Sequence, residues 1–184
     1  MTDAIPDRTA DAGDRVVRLR WPAATTASVV RTPGLGGRPT SALKPGSRGI
    51  TDVRVRNGAR YRYVVTLADA AGNAASRELV VVPRPHLIAP AKRALVGAPP
   101  ALRWTPVRKA HYYNVQLFRN GRKILSAWPT RPKLQLRKRW RFDGRRYRLV
   151  DGRYRWYVWP GTGLRSAHRY GERIGARSFV LDRR

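Results

Sequence analysis

The chain has 184 residues, 42% hydrophobic and 9% aromatic, a composition that can form a packed core and excludes a disordered polycation. It carries 39 Lys and Arg residues against 11 Asp and Glu residues, and the net charge of +28 favours acidic partners such as nucleic acid, cell-wall polymer or a membrane surface. No apolar run approaches the roughly 20 residues of a transmembrane helix, and the absence of cysteine excludes disulfides and thiolate metal sites.

The first predicted elements are a leader and two strands. Residues 1–13 are polar and acidic, and we expect them to form a mobile leader. Val17, Leu19 and Trp21 then alternate with two arginines, which predicts a half-buried strand because successive side chains of a strand point to opposite faces. A second strand is expected to start near Ser28.

The same period of two continues through the rest of the first half. Val53 and Val55 alternate with arginines and predict a further strand. Tyr61, Tyr63 and Val65 predict a stronger one, in which these three side chains face a core.

Two prolines, Pro83 and Pro85, indicate a break between two domains, since proline ends strands and stiffens connections. The sequence therefore predicts one domain over residues 14–83 and a second, more basic one over residues 84–182. Residues 86–184 hold 25 Lys and Arg residues against four acidic residues. That excess indicates either an acidic ligand or a solvated basic surface that reflects arginine-rich codon usage.

The second half repeats the alternating pattern. Residues 113–119 and 154–158 each predict a half-buried strand. Asn120 and Gly121 lie between alternating segments, and this pair favours a two-residue hairpin turn because both positions need a positive φ. No segment shows the pattern of an amphipathic helix with caps, so the chain is predicted to be all-β, with two tandem antiparallel β-sandwiches.

Several motifs resemble those of the fibronectin type III family. Trp21 stands at the end of an early strand, residues 55–61 match an apolar-x-x-Gly-x-x-Tyr segment, and residues 69–73 match an Asp-x-x-Gly-Asn turn. Trp104 and Tyr154 hold corresponding places in the second half. The resemblance implies an immunoglobulin-like sandwich in which the tyrosine hydroxyl caps the preceding turn.

The resemblance also implies a function: a non-catalytic structural or interaction module of a bacterial cell-surface or secreted protein. Two alternatives stay open, a polyanion-binding protein and an accessory domain of a glycan-active enzyme. The first residues lack the basic and apolar segments of a signal peptide, so either the protein stays inside the cell or its natural N-terminus is missing. The oligomeric state is not indicated.

No catalytic or cofactor site is predicted. His86, His111 and His168 are far apart in the sequence and acids are sparse near them, so we expect ordinary surface histidines rather than metal ligands or acid–base catalysts. Asp69 is expected to stabilise its turn, because a calcium site needs about six to eight oxygens. No small-molecule substrate or cofactor is indicated.

The strongest binding candidate is the segment 133–148, where basic and aromatic side chains are interleaved. Guanidinium groups bind phosphate or sulfate with two donors, and aromatic faces add stacking. The alternative is a solvated connection that its aromatic residues Trp140, Phe142 and Tyr147 pin onto the core. The basic residues are Lys133, Arg137, Lys138, Arg139, Arg141, Arg145, Arg146 and Arg148.

The remaining aromatic residues divide into two groups. Trp21, Trp104 and Trp156 are predicted to lie in the cores. Trp128 and Trp159, like Trp140, are predicted either to pack or to stack on sugars or bases.

Overall fold

A computed structural model describes residues 10–22 and 26–183. Within these residues the regular structure consists of 17 β-strands and two short 3₁₀ turns, Leu35–Gly37 and Arg165–Ala167. The chain divides between Arg84 and Pro85 into two compact units. No helix in the described ranges has the length and apolar character needed to cross a membrane.

The first unit is an antiparallel β-sandwich of a three-stranded and a four-stranded sheet. The strand orders are β1-β2-β5 and β4-β3-β6-β7. Val17 and Leu19 from one sheet and Val29, Tyr63 and Val65 from the other are almost fully buried between them. The strands are β1 (Ala10–Gly13), β2 (Val16–Arg20), β3 (Thr26–Thr32), β4 (Ser41–Leu43), β5 (Gly49–Asp52), β6 (Tyr61–Ala68) and β7 (Ala74–Val81).

The second unit has a five-stranded sheet, a three-stranded sheet and a separate two-stranded hairpin. Their orders are β12-β11-β16-β17-β9, β13-β10-β8 and β14-β15, and only the β9–β17 pair among the described strands is parallel. The strands are β8 (Leu87–Ala89), β9 (Ala94–Val96), β10 (Ala101–Trp104), β11 (Tyr112–Arg119), β12 (Arg122–Ala127), β13 (Lys133–Gln135), β14 (Arg139–Phe142), β15 (Arg145–Arg148), β16 (Gly152–Gly161) and β17 (Gly175–Leu181).

Aromatic rings fill the core of the second unit. Trp104 packs edge-on against Tyr113 with ring centroids 5.2 Å apart, and Tyr154 stacks on Phe179 at the same separation. Trp156 is fully buried beside Trp104. With Trp21 buried in the core of the first unit, all three predicted core tryptophans are confirmed. The strand pairing of the two units confirms the predicted all-β fold of tandem sandwiches, which is antiparallel apart from the β9–β17 pair.

Both units contain the predicted tyrosine corner. The Tyr61 hydroxyl accepts a hydrogen bond from the Arg56 backbone N–H at 2.9 Å. The Tyr154 hydroxyl accepts from the Val150 N–H at 3.0 Å and donates to the Val150 carbonyl at 2.6 Å. In each case a buried phenol fixes the turn that leads into its own strand, because its hydroxyl needs a partner once the ring is buried.

The predicted hairpin turn at Asn120 and Gly121 is confirmed. The φ angles of these residues are 49° and 75°, and β11 and β12 pair on either side of them. Positive φ at both central positions gives the backbone twist that two paired strands need.

Two predictions about strands are wrong. Ala10–Gly13, assigned to the leader, form β1 and pair with β2; only Gly13 is buried, so backbone pairing rather than an apolar pattern holds this edge strand. Residues 1–9 lie outside the described residues. The strand expected around Val53 lies earlier, at Gly49–Asp52, because the Asp52 carboxylate accepts from the Arg54 N–H and ends it. Val53 is consequently 58% exposed.

The domain bounds 14–83 and 84–182 stay a prediction.

Candidate polyanion-binding site

Residues 139–148 of the basic segment form the hairpin β14–β15, which closes over Asp143 and Gly144. Their φ angles of 51° and 69° are those of a two-residue turn with both central residues in the left-handed region. Four residues of each strand pair antiparallel. Asp-Gly between alternating residues is itself a hairpin signal, so the hairpin was visible in the sequence even though only a basic segment was predicted.

One face of this hairpin consists of arginine side chains. Arg139 pairs with Arg148 and Arg141 with Arg146, and all four are exposed. Residues directly opposite share a face about 5 Å apart, and successive residues on one face are about 7 Å apart along the strand. The four Cα atoms therefore form a compact two-by-two array, which we call the arginine face.

The other face of the hairpin carries aromatic side chains that hold it on the second unit. Trp140 stacks on Tyr147 with centroids 6.0 Å apart and an interplanar angle of 12°. The Trp140 indole N–H donates to the Ile124 carbonyl at 2.6 Å, and both rings pack against the core. The interleaved aromatic residues Trp140 and Tyr147 thus anchor the segment, although they also line a cavity together with the four arginines.

The arginine face is electrostatically uncompensated. Among the described residues none of its four guanidinium groups has an ion-pair partner, and the acid nearest in sequence is Asp143 in the turn. An open cavity of about 470 Å³ lies against the hairpin. It is lined by Arg139, Trp140, Arg141, Arg146, Tyr147 and Arg148.

The other four predicted basic residues lie outside the arginine face, and all are exposed. Arg145 is paired with Phe142 on the aromatic face. Arg137 and Lys138 lie in the connection before β14, where the Lys138 carbonyl accepts from the Leu149 N–H. Lys133 belongs to a different sheet, in β13 opposite Arg103.

A second basic and aromatic surface was missed from the sequence. Phe118, Tyr157 and Trp159 lie half-buried on the outer face of the five-stranded sheet, with Arg155 and Arg173 against the Tyr157 ring. The signal was present, because alternate residues of β16 that should face water are aromatic.

Trp128 lies on the surface in a smaller cluster. It is 36% exposed, and its indole N–H donates to the Tyr170 hydroxyl at 2.9 Å. The guanidinium carbon of Arg165 lies 5.2 Å from the ring centroid. An open cavity of about 490 Å³ beside it also involves Leu164 and His168.

The three histidines have separate contacts. The His86 N–H donates to the Thr105 hydroxyl, His111 Nδ1 accepts from the Gly163 N–H, and His168 lies beside the Tyr170 ring. Residues 10–22 and 26–183 contain no group of three acids, histidines or cysteines that could hold a metal ion.

Asp69 has the predicted turn role. Its carboxylate accepts hydrogen bonds from the backbone N–H groups of Ala71 and Asn73 and from the Asn73 side chain, each at 2.9 Å. The Asn73 side-chain bond is the largest of the effects that lower the pKa of Asp69.

No known family model and no curated protein sequence matches the chain. The solved structures that it resembles include fibronectin type III segments. Against chicken CNTN1 FN1–FN3 domains the identity is 9% and the TM-score 0.37; the match covers 94% of this chain but 62% of that one, less than two thirds of its length. Against a two-domain segment of chicken tenascin the identity is 13% and the TM-score 0.32, and the match covers 93% of this chain and 94% of that one. Against the fibronectin(III)-like modules of Clostridium thermocellum CbhA the identity is 11% and the TM-score 0.32, and the match covers 97% of this chain and 93% of that one. The sandwich assignment rests on strand pairing and burial rather than on these similarities.

Proposed function

We propose that this chain is a non-catalytic interaction module whose second unit binds acidic polymers through the arginine face of the β14–β15 hairpin. The observation that carries the proposal is the array of four exposed arginines without ion-pair partners among the described residues. The bacterial cell-surface or secreted setting is supported by the resemblance to fibronectin type III domains alone.

Arginine suits a polymer of phosphate or sulfate groups. Its planar guanidinium group presents paired donors that match two oxygens of one anion, and it stays charged at any physiological pH. A two-by-two array can bind anionic groups repeated along a chain, so that one polymer makes several contacts at once.

The aromatic anchor reduces the entropy lost on binding. The hairpin backbone is fixed by its own pairing and by the bond from Trp140 to Ile124, so only the arginine side chains must be ordered by the ligand. The second unit adds a general attraction, since residues 86–184 carry 25 basic and four acidic side chains.

Such a site recognises charge rather than sequence. Contacts to phosphate groups position a polymer but do not distinguish its bases or sugars. Binding should therefore fall steeply as salt rises, because each neutralised anion releases counterions.

The test compares a hairpin variant with a control of equal charge. The hairpin variant carries Arg139→Gln, Arg141→Gln, Arg146→Gln and Arg148→Gln. The control replaces four exposed arginines of the first unit by glutamine, so both variants lose four positive charges. These controls are Arg38, Arg48, Arg56 and Arg60.

Affinity of the full chain is measured for heparin, duplex DNA and a teichoic-type polymer across a salt series. The slope of log K against log salt is negative, and its magnitude reflects the number of anionic groups contacted. We expect this magnitude to decrease by up to about four for the hairpin variant and by less than about one for the control. The proposal is wrong if the wild-type chain binds none of the polymers at low salt. It is also wrong if the two variants lose affinity equally while circular dichroism shows both folded, since net charge would then explain the binding.

A further inference from the structure

The outer face of the five-stranded sheet carries a row of basic and aromatic side chains. Lys123, Phe118 and Arg155 lie directly opposite one another on β12, β11 and β16. Tyr157 and Trp159 are the next outward residues of β16. The row crosses three strands, a span of about 10 Å. The exposed face of an antiparallel sheet is ordinarily polar, so this composition is not required for the sandwich itself.

Tyr157 holds two arginine side chains in place. The guanidinium carbons of Arg155 and Arg173 lie 5.3 and 5.4 Å from its ring centroid. The ring is itself packed edge-on against Phe118 at 5.3 Å and stacked on Trp159 at 5.9 Å. Cation–π contact restrains both guanidinium groups while their side chains stay exposed, so less conformational entropy is lost when an anion binds.

These contacts determine which part of a ligand the surface can recognise. The Tyr157 ring is in contact with two guanidinium groups and two neighbouring rings, so it offers little free face for stacking a base or a sugar. Arg155 and Arg173 are themselves exposed, and guanidinium N–H groups pair well with phosphate or sulfate oxygens.

This surface adjoins the hairpin. The Lys123 ammonium nitrogen lies 5.9 Å from the Phe142 ring centroid, and Phe142 is paired with Arg145. The next residue, Ile124, accepts the hydrogen bond from Trp140. The row of basic and aromatic side chains therefore begins where the hairpin is anchored.

We propose that Arg155 and Arg173, held on Tyr157, form a second subsite for linear polymers bearing phosphate or sulfate groups, which a long polymer occupies together with the arginine face. This inference rests on the proposed function and deepens it: the ligand is an extended chain, bound by its charged groups. Two linked subsites raise the affinity for a long polymer above that for a fragment that reaches only one of them.

The test uses the full chain with tripolyphosphate and with a linear polyphosphate of about 15 phosphates, probes that contain no base or sugar. The variant Arg155→Gln/Arg173→Gln should lower the affinity for the long chain by roughly tenfold at about 50 mM salt and reduce the salt slope by about one per arginine. Its control, Lys92→Gln/Arg103→Gln, removes two exposed charges outside both surfaces and should leave the slope nearly unchanged.

A second variant separates positioning from charge. Tyr157→Leu keeps every charge and alters no buried core residue. We expect it to weaken long-chain binding several-fold at an unchanged salt slope, because the arginines remain but lose the ring that restrains them.

The outcomes distinguish this inference from the proposed function. If the hairpin variant weakens long-chain binding while Arg155→Gln/Arg173→Gln behaves like its control, the second subsite is wrong and the hairpin site stands. If neither variant differs from its control, both are wrong. If oligothymidylate of equal charge binds more tightly than polyphosphate and only Tyr157→Leu abolishes that difference, the surface stacks bases and the charge-based subsite is wrong.

Discussion

A buried ion pair between Arg31 and Asp52 in the first unit allows a direct test of how much a buried arginine contributes to stability. Arg31 is 3% exposed, and its Nη1 lies 2.9 Å from the Asp52 carboxylate. The guanidinium group also donates to the backbone carbonyls of Pro33, Gly34 and Arg54. The acceptors of this cation are therefore one carboxylate and three backbone carbonyls, all of which the fold holds in place.

The perturbation is Asp52→Asn, which preserves shape and removes the negative charge. The Tyr63 hydroxyl, which donates to Asp52 Oδ2 at 2.9 Å, can donate to an asparagine oxygen in the same place, while the amide nitrogen that replaces Oδ1 can no longer accept from the Arg54 N–H. Breaking a buried pair costs about 3–5 kcal/mol, because the remaining charge is buried without compensation. Since three carbonyls still accept from Arg31, we expect a value near the lower end, about 3 kcal/mol.

That loss is large relative to the unit that bears it. At about 0.05–0.15 kcal/mol per residue, a sandwich of this size has a free energy of unfolding of roughly 4–10 kcal/mol. With a urea m-value of about 1 kcal/mol per molar, the unfolding midpoint should fall by roughly 3 M.

The assay follows the indole N–H resonance of Trp21, the single tryptophan of residues 1–84, through a urea titration. Glu78→Gln is the matched control, because its ion pair with Arg62 is half exposed and should contribute less than about 1 kcal/mol. Arg31→Met/Asp52→Asn should be less destabilised than the sum of the single variants. The reasoning is refuted if Asp52→Asn shifts the midpoint no more than Glu78→Gln at an unchanged m-value.

Two further predictions follow from the geometry. Burial, and then the hydrogen bond to Asp52, raise the pKa of Tyr63 well above its usual value. The unfolded chain therefore loses this proton first, and the free energy of unfolding should fall as pH rises above about 10. Urea titrations at about pH 9 and 11 should show a smaller fall in the free energy of unfolding for Tyr63→Phe than for the wild-type chain. Gly144→Val should disrupt the hairpin turn at a cost of about 1–2 kcal/mol, because φ is 69° there. The affinity for heparin should then drop although no charge is lost. An unchanged affinity would mean that binding does not depend on how the hairpin arranges the four arginines.

The parts of the fold that depend on period-two burial could be read from the sequence. Tyr61, Tyr63 and Val65, like Tyr154 and Trp156, are buried on alternate positions as expected. The pattern works because an inward position of a half-buried strand tolerates little except an apolar side chain. The Asn120–Gly121 turn was equally predictable, since few residue pairs accept two positive φ angles.

The features that depend on distant partners could not be read in this way. Arg31 shares the inward face of β3 with Val29, yet the residue that compensates its charge, Asp52, lies in a different sheet. One arginine beside two valines looks like an outward residue in sequence. The strand Gly49–Asp52 was missed for a similar reason, because its end is set by a side-chain hydrogen bond rather than by an apolar pattern.

The same limit applies to the binding surface. A net charge of +28 predicts an acidic partner, but charge alone does not say which arginines are free to bind it. The structure separates them by role: Arg31 is buried in an ion pair, Arg155 rests on an aromatic ring, and Arg139 stands with its neighbours on an open face.

The position of the hairpin outside both sandwich sheets makes its charges separable from the fold. The strands β14 and β15 pair only with each other among the described strands, and the face that holds them to the core is the aromatic one. Glutamine at the four arginine positions therefore changes neither a ladder hydrogen bond nor a core contact. Loss of polymer binding in that variant, with the unfolding midpoint of the second unit unchanged, would assign the affinity to the arginine face itself rather than to stability.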